Sequence, residues 1–231
     1  MWDGKLKAVT FSYDDGVLQD VRLIQILNKY HLKATFNLNS ERFGREAHSV
    51  VDGKCYDRTS VSARDVKALY EGHEVAVHTL THPRLPDLDE SEIIRQVEQD
   101  RINLSRLVDY EVKGMAYPCG GVNNDDRVAA IIKANTGVKY ARTITANYSF
   151  ELQDNLYRFN PTIHHGKFDR LFPLGEEFIN MKADKPQIYY IWGHSYEFDI
   201  DDSWEKFEEF CKMISGHGDI FYGTNAEVLG I

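Results

Sequence analysis

Three groups of side chains in this sequence could do chemistry together. Thr10-Phe11-Ser12-Tyr13-Asp14-Asp15-Gly16 ends an apolar strand on two adjacent carboxylates and a glycine. His78-Thr79-Leu80-Thr81-His82 offers an imidazole pair, and an apolar run from residue 187 ends on His194. Two imidazoles and one carboxylate make an open three-ligand set that leaves a coordination position for water, and zinc is the natural ion for it. Zinc lowers the pKa of such water to about 7. A second carboxylate close by can accept the water proton, and the metal's charge keeps that carboxylate ionised. The acid that protonates a leaving group must be separate, and His194 on a different strand fits that task.

Each signal also has a plainer reading. Asp-Gly marks hairpin turns, and successive strand side chains face opposite ways, so Asp14 and Asp15 share a site only if the strand breaks. Gly16 permits the break. Val17, Val21, Ile24 and Leu27 then fall at helical spacing, which makes the unit strand, loop and helix. With nine histidines in the chain, His-x-x-x-His alone is a weak motif. Pro83 disfavours helix at His82, so the pair belongs to a strand end and turn. Three strands ending on candidate groups define one rim, where α/β folds build their sites. Trp192, Tyr117 and Tyr196 could stack on sugar faces, although aromatics commonly fill cores. His164, His165 and Glu197 fall near the same rim, but polar structural roles suit them at least as well and they stay outside the catalytic set.

The elements that must carry these groups alternate along the chain. After the first strand, further strands are expected at 33–38, 74–78, 112–117, 139–142, 156–159, 187–194 and 219–222. Helices are expected at 17–30, 62–72, from Asp89 or Ser91 to about 107, 125–134, 168–181 with a break or restart at Pro173, and 204–214. Residues 41–59 show no period and read as an exposed loop. The economical architecture is a single α/β domain over residues 1–231, built as a parallel barrel. At 231 residues and 42% hydrophobic content, a large core is available. A net charge of -9 argues against nucleic acid and an anionic membrane surface as partners. Cys55, Cys119 and Cys211 form no C-x-x-C pair, so neither a disulfide framework nor a cysteine zinc site is indicated. No run is long enough to span a bilayer, and residues 1–5 lead directly into the first strand. A cytoplasmic protein is the expectation, although a secreted chain stripped of its leader reads the same.

Asp14-Asp15, His78-x-x-x-His82, the Pro118-x-Gly120 turn and a late strand ending on His194 together resemble the polysaccharide deacetylase family, the NodB-homology or carbohydrate esterase family 4 domain. The resemblance runs in order over nearly the whole chain. It implies a distorted (β/α)7 barrel that removes N- or O-acetyl groups from carbohydrate with a divalent metal, zinc first and cobalt or nickel as alternatives. By position it makes Asp14 the general base, Asp15, His78 and His82 the metal ligands, and His194 the general acid. The backbone N–H of Cys119 takes the place of the donor that holds the oxyanion; the cysteine as a metal ligand is set aside, because the acidic and histidine set suffices. The family's usual arginine, two residues before the proline, is replaced by Ala116, and Arg142 at the end of the next strand is expected to take over its ion pair with the base. Competing readings are a facial-triad iron oxygenase, a hydrolase of ring amides such as allantoin, and a carbohydrate-binding barrel without chemistry.

Overall fold

The computed structural model describes residues 2–231. In chain order it runs β1 (Lys7–Asp14), α1 (Asp20–Lys29), β2 (Ala34–Leu38), β3 (His48–Val51), β4 (Lys54–Asp57), α2 (Val66–Leu69) and β5 (Glu74–Val77). Next come α3 (Glu90–Ile94), a π-type turn at Arg95–Gln99, α4 (Asp100–Val108), β6 (Gly114–Ala116), α5 (Asp126–Asn135), β7 (Tyr140–Arg142) and β8 (Ile163–His164). The chain finishes with α6 (Phe168–Asn180), β9 (Gln187–Gly193), α7 (Glu197–Ile200), α8 (Trp204–Ile214), β10 (Ile220–Tyr222) and α9 (Asn225–Leu229).

Eight strands form one parallel sheet in the order β7-β6-β5-β2-β1-β9-β8, with β10 paired to β1. Every residue of β1, β2 and β9 is buried, as expected of parallel strands covered on both faces. The sheet curls until one segment reaches both of its ends. The Phe159 N–H donates to Ala141 O at 3.0 Å beside β7, and six residues on the His165 N–H donates to Trp192 O of β9 at 2.8 Å. This is the expected distorted (β/α)7 barrel, with β10 as an added strand at the base of β1.

Local rules explain the outer layer. α8 buries Trp204, Phe207, Phe210, Cys211 and Ile214, a single stripe at helical spacing. Each such aromatic or aliphatic side chain contributes about 1.5–3 kcal/mol of burial. Asp89 and Asp125 cap their helices by accepting the N–H of Glu92 and Val128, and Thr224 with Glu227 makes a reciprocal capping box. Lys7, although buried, reaches the last carbonyls of α6 at Phe178 and Ile179 and pairs with Asp219. Among the described residues no helix is long and apolar enough to cross a membrane.

Several expected elements differ. Residues 41–59 contain the hairpin β3–β4, turned by Asp52 (φ 49°) and Gly53 (φ 77°), a left-handed pair that suits a tight hairpin. The strand expected at 156–159 is a single 3₁₀ turn at Leu156–Arg158, started by the Asn155 side chain accepting the Tyr157 N–H. α1 starts at Asp20 and buries Leu23, Ile24, Ile26 and Leu27, while Val21 is exposed. α6 continues through Pro173. Ser62 makes no side-chain cap.

Candidate active site

Asp14 is the last residue of β1, and the backbone then turns left-handed at Asp15 (φ 79°) and Gly16 (φ 60°). The strand alternation is broken there, and both carboxylates line one cavity of about 230 Å³. A side chain at position 16 would be strained, because the backbone is left-handed there and a Cβ would stand 2.7 Å from Leu38 Cδ2. Thr79, His82 and Cys119 are also left-handed, at φ 70°, 65° and 71°. Non-glycine residues in this region cost energy and collect where a site must be shaped. Here the surroundings hold them: Asn39 Nδ2 donates to Thr79 O at 2.8 Å, and buried Asp100 accepts the N–H groups of Ser40 and His78.

Asp15, His78 and His82 come together as expected. Asp15 Oδ1 lies 3.4 Å from His82 Nε2 and 3.7 Å from His78 Nε2, and it is buried with no hydrogen-bond partner. Its other oxygen accepts from Arg58 Nη2 at 2.9 Å. His78 Nδ1 is 2.9 Å from Ala116 O. A carbonyl only accepts, so Nδ1 carries the proton and Nε2 presents its lone pair to the cavity. Burial pushes the His78 pKa down; burial and the neighbouring His78 push His82 to about 4. For Asp15 burial alone would raise the pKa, but His194, His78, His82 and Arg58 prevail and lower it to about 2. Two neutral imidazoles and an ionised, otherwise orphaned carboxylate oxygen are the donors a divalent cation takes, so the residues fit such an ion.

Asp14 flanks this trio, 2% exposed. Arg142, fully buried, directs Nη2 at both carboxylate oxygens of Asp14, at 2.5 Å from Oδ2, and Asn37 Nδ2 donates to Oδ1 at 2.8 Å. Arg142 Nε donates to Ser12 Oγ, Nη1 donates to Thr143 O, and Cζ sits 4.6 Å over the Trp192 ring. Ala116 and Arg142 are register partners on adjacent strands. A guanidinium from β7 therefore reaches the carboxylate from one strand beyond Ala116. Burial opposes ionisation of Asp14, but the Arg142 charge, helped by His78 and His194, leaves its pKa below the usual value.

His194 lines the same cavity. Its Nδ1 is 3.2 Å from Glu197 Oε1, and its backbone N–H donates to Oε2 at 3.1 Å. Burial disfavours the charged imidazole, yet Glu197 together with Asp15 and Asp14 raises its pKa to about 9. Cys119 borders the cavity, its Sγ 3.7 Å from His82 Nδ1. Among the described residues, no protein acceptor takes the Cys119 N–H. All seven residues singled out from the sequence are thus at one rim. A larger cavity of about 570 Å³ beside α2 and α4 contains no cluster of metal-ligand side chains, so size does not locate the site.

Residues 3–141, more than half of the chain, match the family model described as polysaccharide deacetylase. The chain belongs to that family. A bifunctional xylanase/deacetylase of Pseudobutyrivibrio xylanivorans is 27% identical over 119 residues, which is 51% of this chain and 17% of that protein. The chain thus spans only a small part of that relative's length. A family 4 acetyl xylan esterase of Clostridium thermocellum, solved with a cobalt ion, superposes with TM-score 0.60 at 16% identity, over 96% of this chain and 90% of the esterase. A carbohydrate esterase family 4 pseudoenzyme of Bacillus anthracis superposes with TM-score 0.52 at 18% identity, over 99% of this chain and 66% of that one. At these identities the two structures share the fold.

Two residues of this polysaccharide deacetylase family member were not legible as site residues. Arg58, just past β4, bonds Asp15 and stacks 4.0 Å over Tyr196. Glu197, which the sequence leaves outside the catalytic set, is in contact with His194, His164 and His165. The one available signal was the spacing His194-x-x-Glu197 in a turn. Of the aromatics considered as sugar platforms, Trp192 and Tyr196 each hold a guanidinium, and Tyr117 spends its hydroxyl on Tyr157 O.

Proposed function

We propose that this chain hydrolyses acetyl groups from an N- or O-acetylated carbohydrate, with a divalent cation, zinc foremost, held by Asp15, His78 and His82. One observation supports the reading: an Arg142-paired carboxylate and a Glu197-paired imidazole line the same cavity as that trio. A cation bound there supplies a Lewis acid for the acyl oxygen and lowers the pKa of water to about 7. Asp14, ionised by Arg142, accepts the proton of the attacking water. The Cys119 N–H donates to the oxyanion that forms as water adds to the acyl carbon. His194, protonated through its pair with Glu197, gives its proton to the leaving nitrogen or oxygen as the C–N or C–O bond breaks. Acetate and a free amine or hydroxyl result, and solvent returns Asp14 and His194 to their starting protonation. At about 230 Å³ the cavity falls below the roughly 300–1,000 Å³ of drug-sized pockets. It suits the acyl group and its attached ring, with the rest of any polymer outside.

The fold alone does not decide for chemistry, since a pseudoenzyme shares it. The two tuned pairs favour catalysis over binding, because a binder needs neither a base nor an acid. The test is acetate release from N-acetylated sugars, chito-oligomers and acetylated polymers, with ring amides as a comparison. Acetate release should stop on chelation, return with one equivalent of zinc or cobalt, and be absent from metal-loaded Asp14→Asn. Full turnover by chelated protein would overturn the reading, as would ring opening without acetate release.

A further inference from the structure

A second group, His164, His165 and Glu197, gathers its ligand-type atoms as tightly as the Asp15 trio, all within 4.8 Å. What the far ring nitrogens touch separates the two clusters. His78 Nδ1 faces a carbonyl, which leaves Nε2 bare. His164 Nδ1 instead lies 3.2 Å from the Gly166 N–H, which can only donate. That nitrogen is the acceptor, so the proton of the neutral ring is on Nε2, 3.1 Å from Glu197 Oε2. His165 Nδ1 lies 3.3 Å from the Tyr13 hydroxyl. The hydroxyl is buried, keeps its proton, and has no other acceptor among the described residues. It donates to Nδ1, and the His165 proton is likewise on Nε2, 3.1 Å from the same Glu197 oxygen. An Nε2 that carries a proton has no lone pair for a metal.

We infer that His164 and His165 are positioning residues whose Nε2–H groups anchor Glu197 Oε2, so that Oε1 holds Nδ1 of His194 and aims Nε2 of His194 at the cavity. The packing fits a fixed part. His165 is 1% exposed and lies against Phe198 with ring centroids 4.2 Å apart. Gly193 leaves room for its ring, since a Cβ there would stand 2.4 Å from His165 Nδ1. His164 meets Trp192 edge-on at 4.7 Å. Burial drives His165 to a pKa of about 4, consistent with a neutral ring, while hydrogen bonds from the three histidines hold Glu197, against burial, well below the usual carboxylate range. The other charged groups facing His194 are Asp15 and Asp14. A carboxylate held by several N–H donors is a rigid partner, as outer-shell groups around reactive imidazoles generally are.

The role assigned to His194 rests on the deacetylation reading, but two measurements do not. Nitrogen-15 NMR of the zinc-loaded protein should show His164 and His165 as neutral Nε2–H tautomers, and zinc titration should saturate at one equivalent. A second equivalent that disappears in His164→Leu, or an Nδ1–H tautomer at either residue, would overturn the inference. Because neither readout uses substrate, failure here is distinct from failure to release acetate. In turnover, His164→Leu should lower kcat roughly 10–100-fold with KM and zinc binding unchanged. His164→Gln, whose amide N–H reaches the place of Nε2, should recover most of the loss. An unchanged kcat in His164→Leu would remove the positioning role.

Discussion

Replacing Arg142 by methionine should cost about 3–5 kcal/mol of stability near neutral pH, the usual result of stripping a buried charge of its partner. Asp14 is 2% exposed, and without Arg142 the remaining side-chain donor on its carboxylate is Asn37. Methionine keeps much of the stem volume under Trp192, so the cavity contribution is small. Thr143 O also loses its Arg142 donor, a pH-independent cost of about 1–3 kcal/mol. The charge contribution depends on pH with a definite sign. In the native chain the Asp14 pKa lies below its usual value, so its stabilisation is present above an unfolded value of about 3.9 and is lost as pH falls through the folded value. In Arg142→Met, burial without the guanidinium raises the folded pKa. The deficit relative to the native chain should therefore be full near pH 7.5 and shrink as pH falls towards about 4. Urea unfolding followed by circular dichroism at several pH values measures this, with Asp14→Asn/Arg142→Met as the control that should regain most of the charge contribution. A deficit below about 1 kcal/mol at neutral pH, or one that does not change with pH, would refute the reasoning.

Two further outcomes follow from the same geometry. Glu197→Gln removes the largest stabiliser of the charged His194, whose pKa is raised to about 9. The proton donor is lost as pH rises through that pKa, so the alkaline limb of kcat/KM should move from near 9 towards about 6.5; an unmoved limb would exclude His194 as the acid. Gly193→Ala puts a methyl 2.4 Å from His165 Nδ1 and should cost about 1–3 kcal/mol by overpacking while lowering kcat, both absent if the His165 ring moves aside freely.

The catalytic rim was legible because its signals are local. β1, β5 and β9 are apolar runs that stop abruptly on Asp14, His78 and His194, and a strand end is readable without its neighbours. Arg142 could be named from the missing arginine at Ala116, but the reason it reaches Asp14 is sheet register, a pairing of distant segments. Glu197 was undervalued because its partners arrive from β8, a two-residue strand with no period of its own. Arg58 matters through the docking of the β3–β4 hairpin at the barrel mouth, and that hairpin was missed although Asp52-Gly53 is a turn signal of the same kind weighed at Asp15-Gly16. The opposite error, a strand at 156–159, took apolar content for pairing where Asn155 starts a turn.

The central claim is that one pocket gathers a cation on Asp15, His78 and His82 with Asp14 and His194 beside it. Anomalous diffraction at the zinc edge, from crystals grown with zinc, tests it directly. One strong peak is expected within bonding distance of Asp15 Oδ1 and the Nε2 atoms of His78 and His82, and none between His164, His165 and Glu197. A zinc peak elsewhere with the first site empty would contradict it.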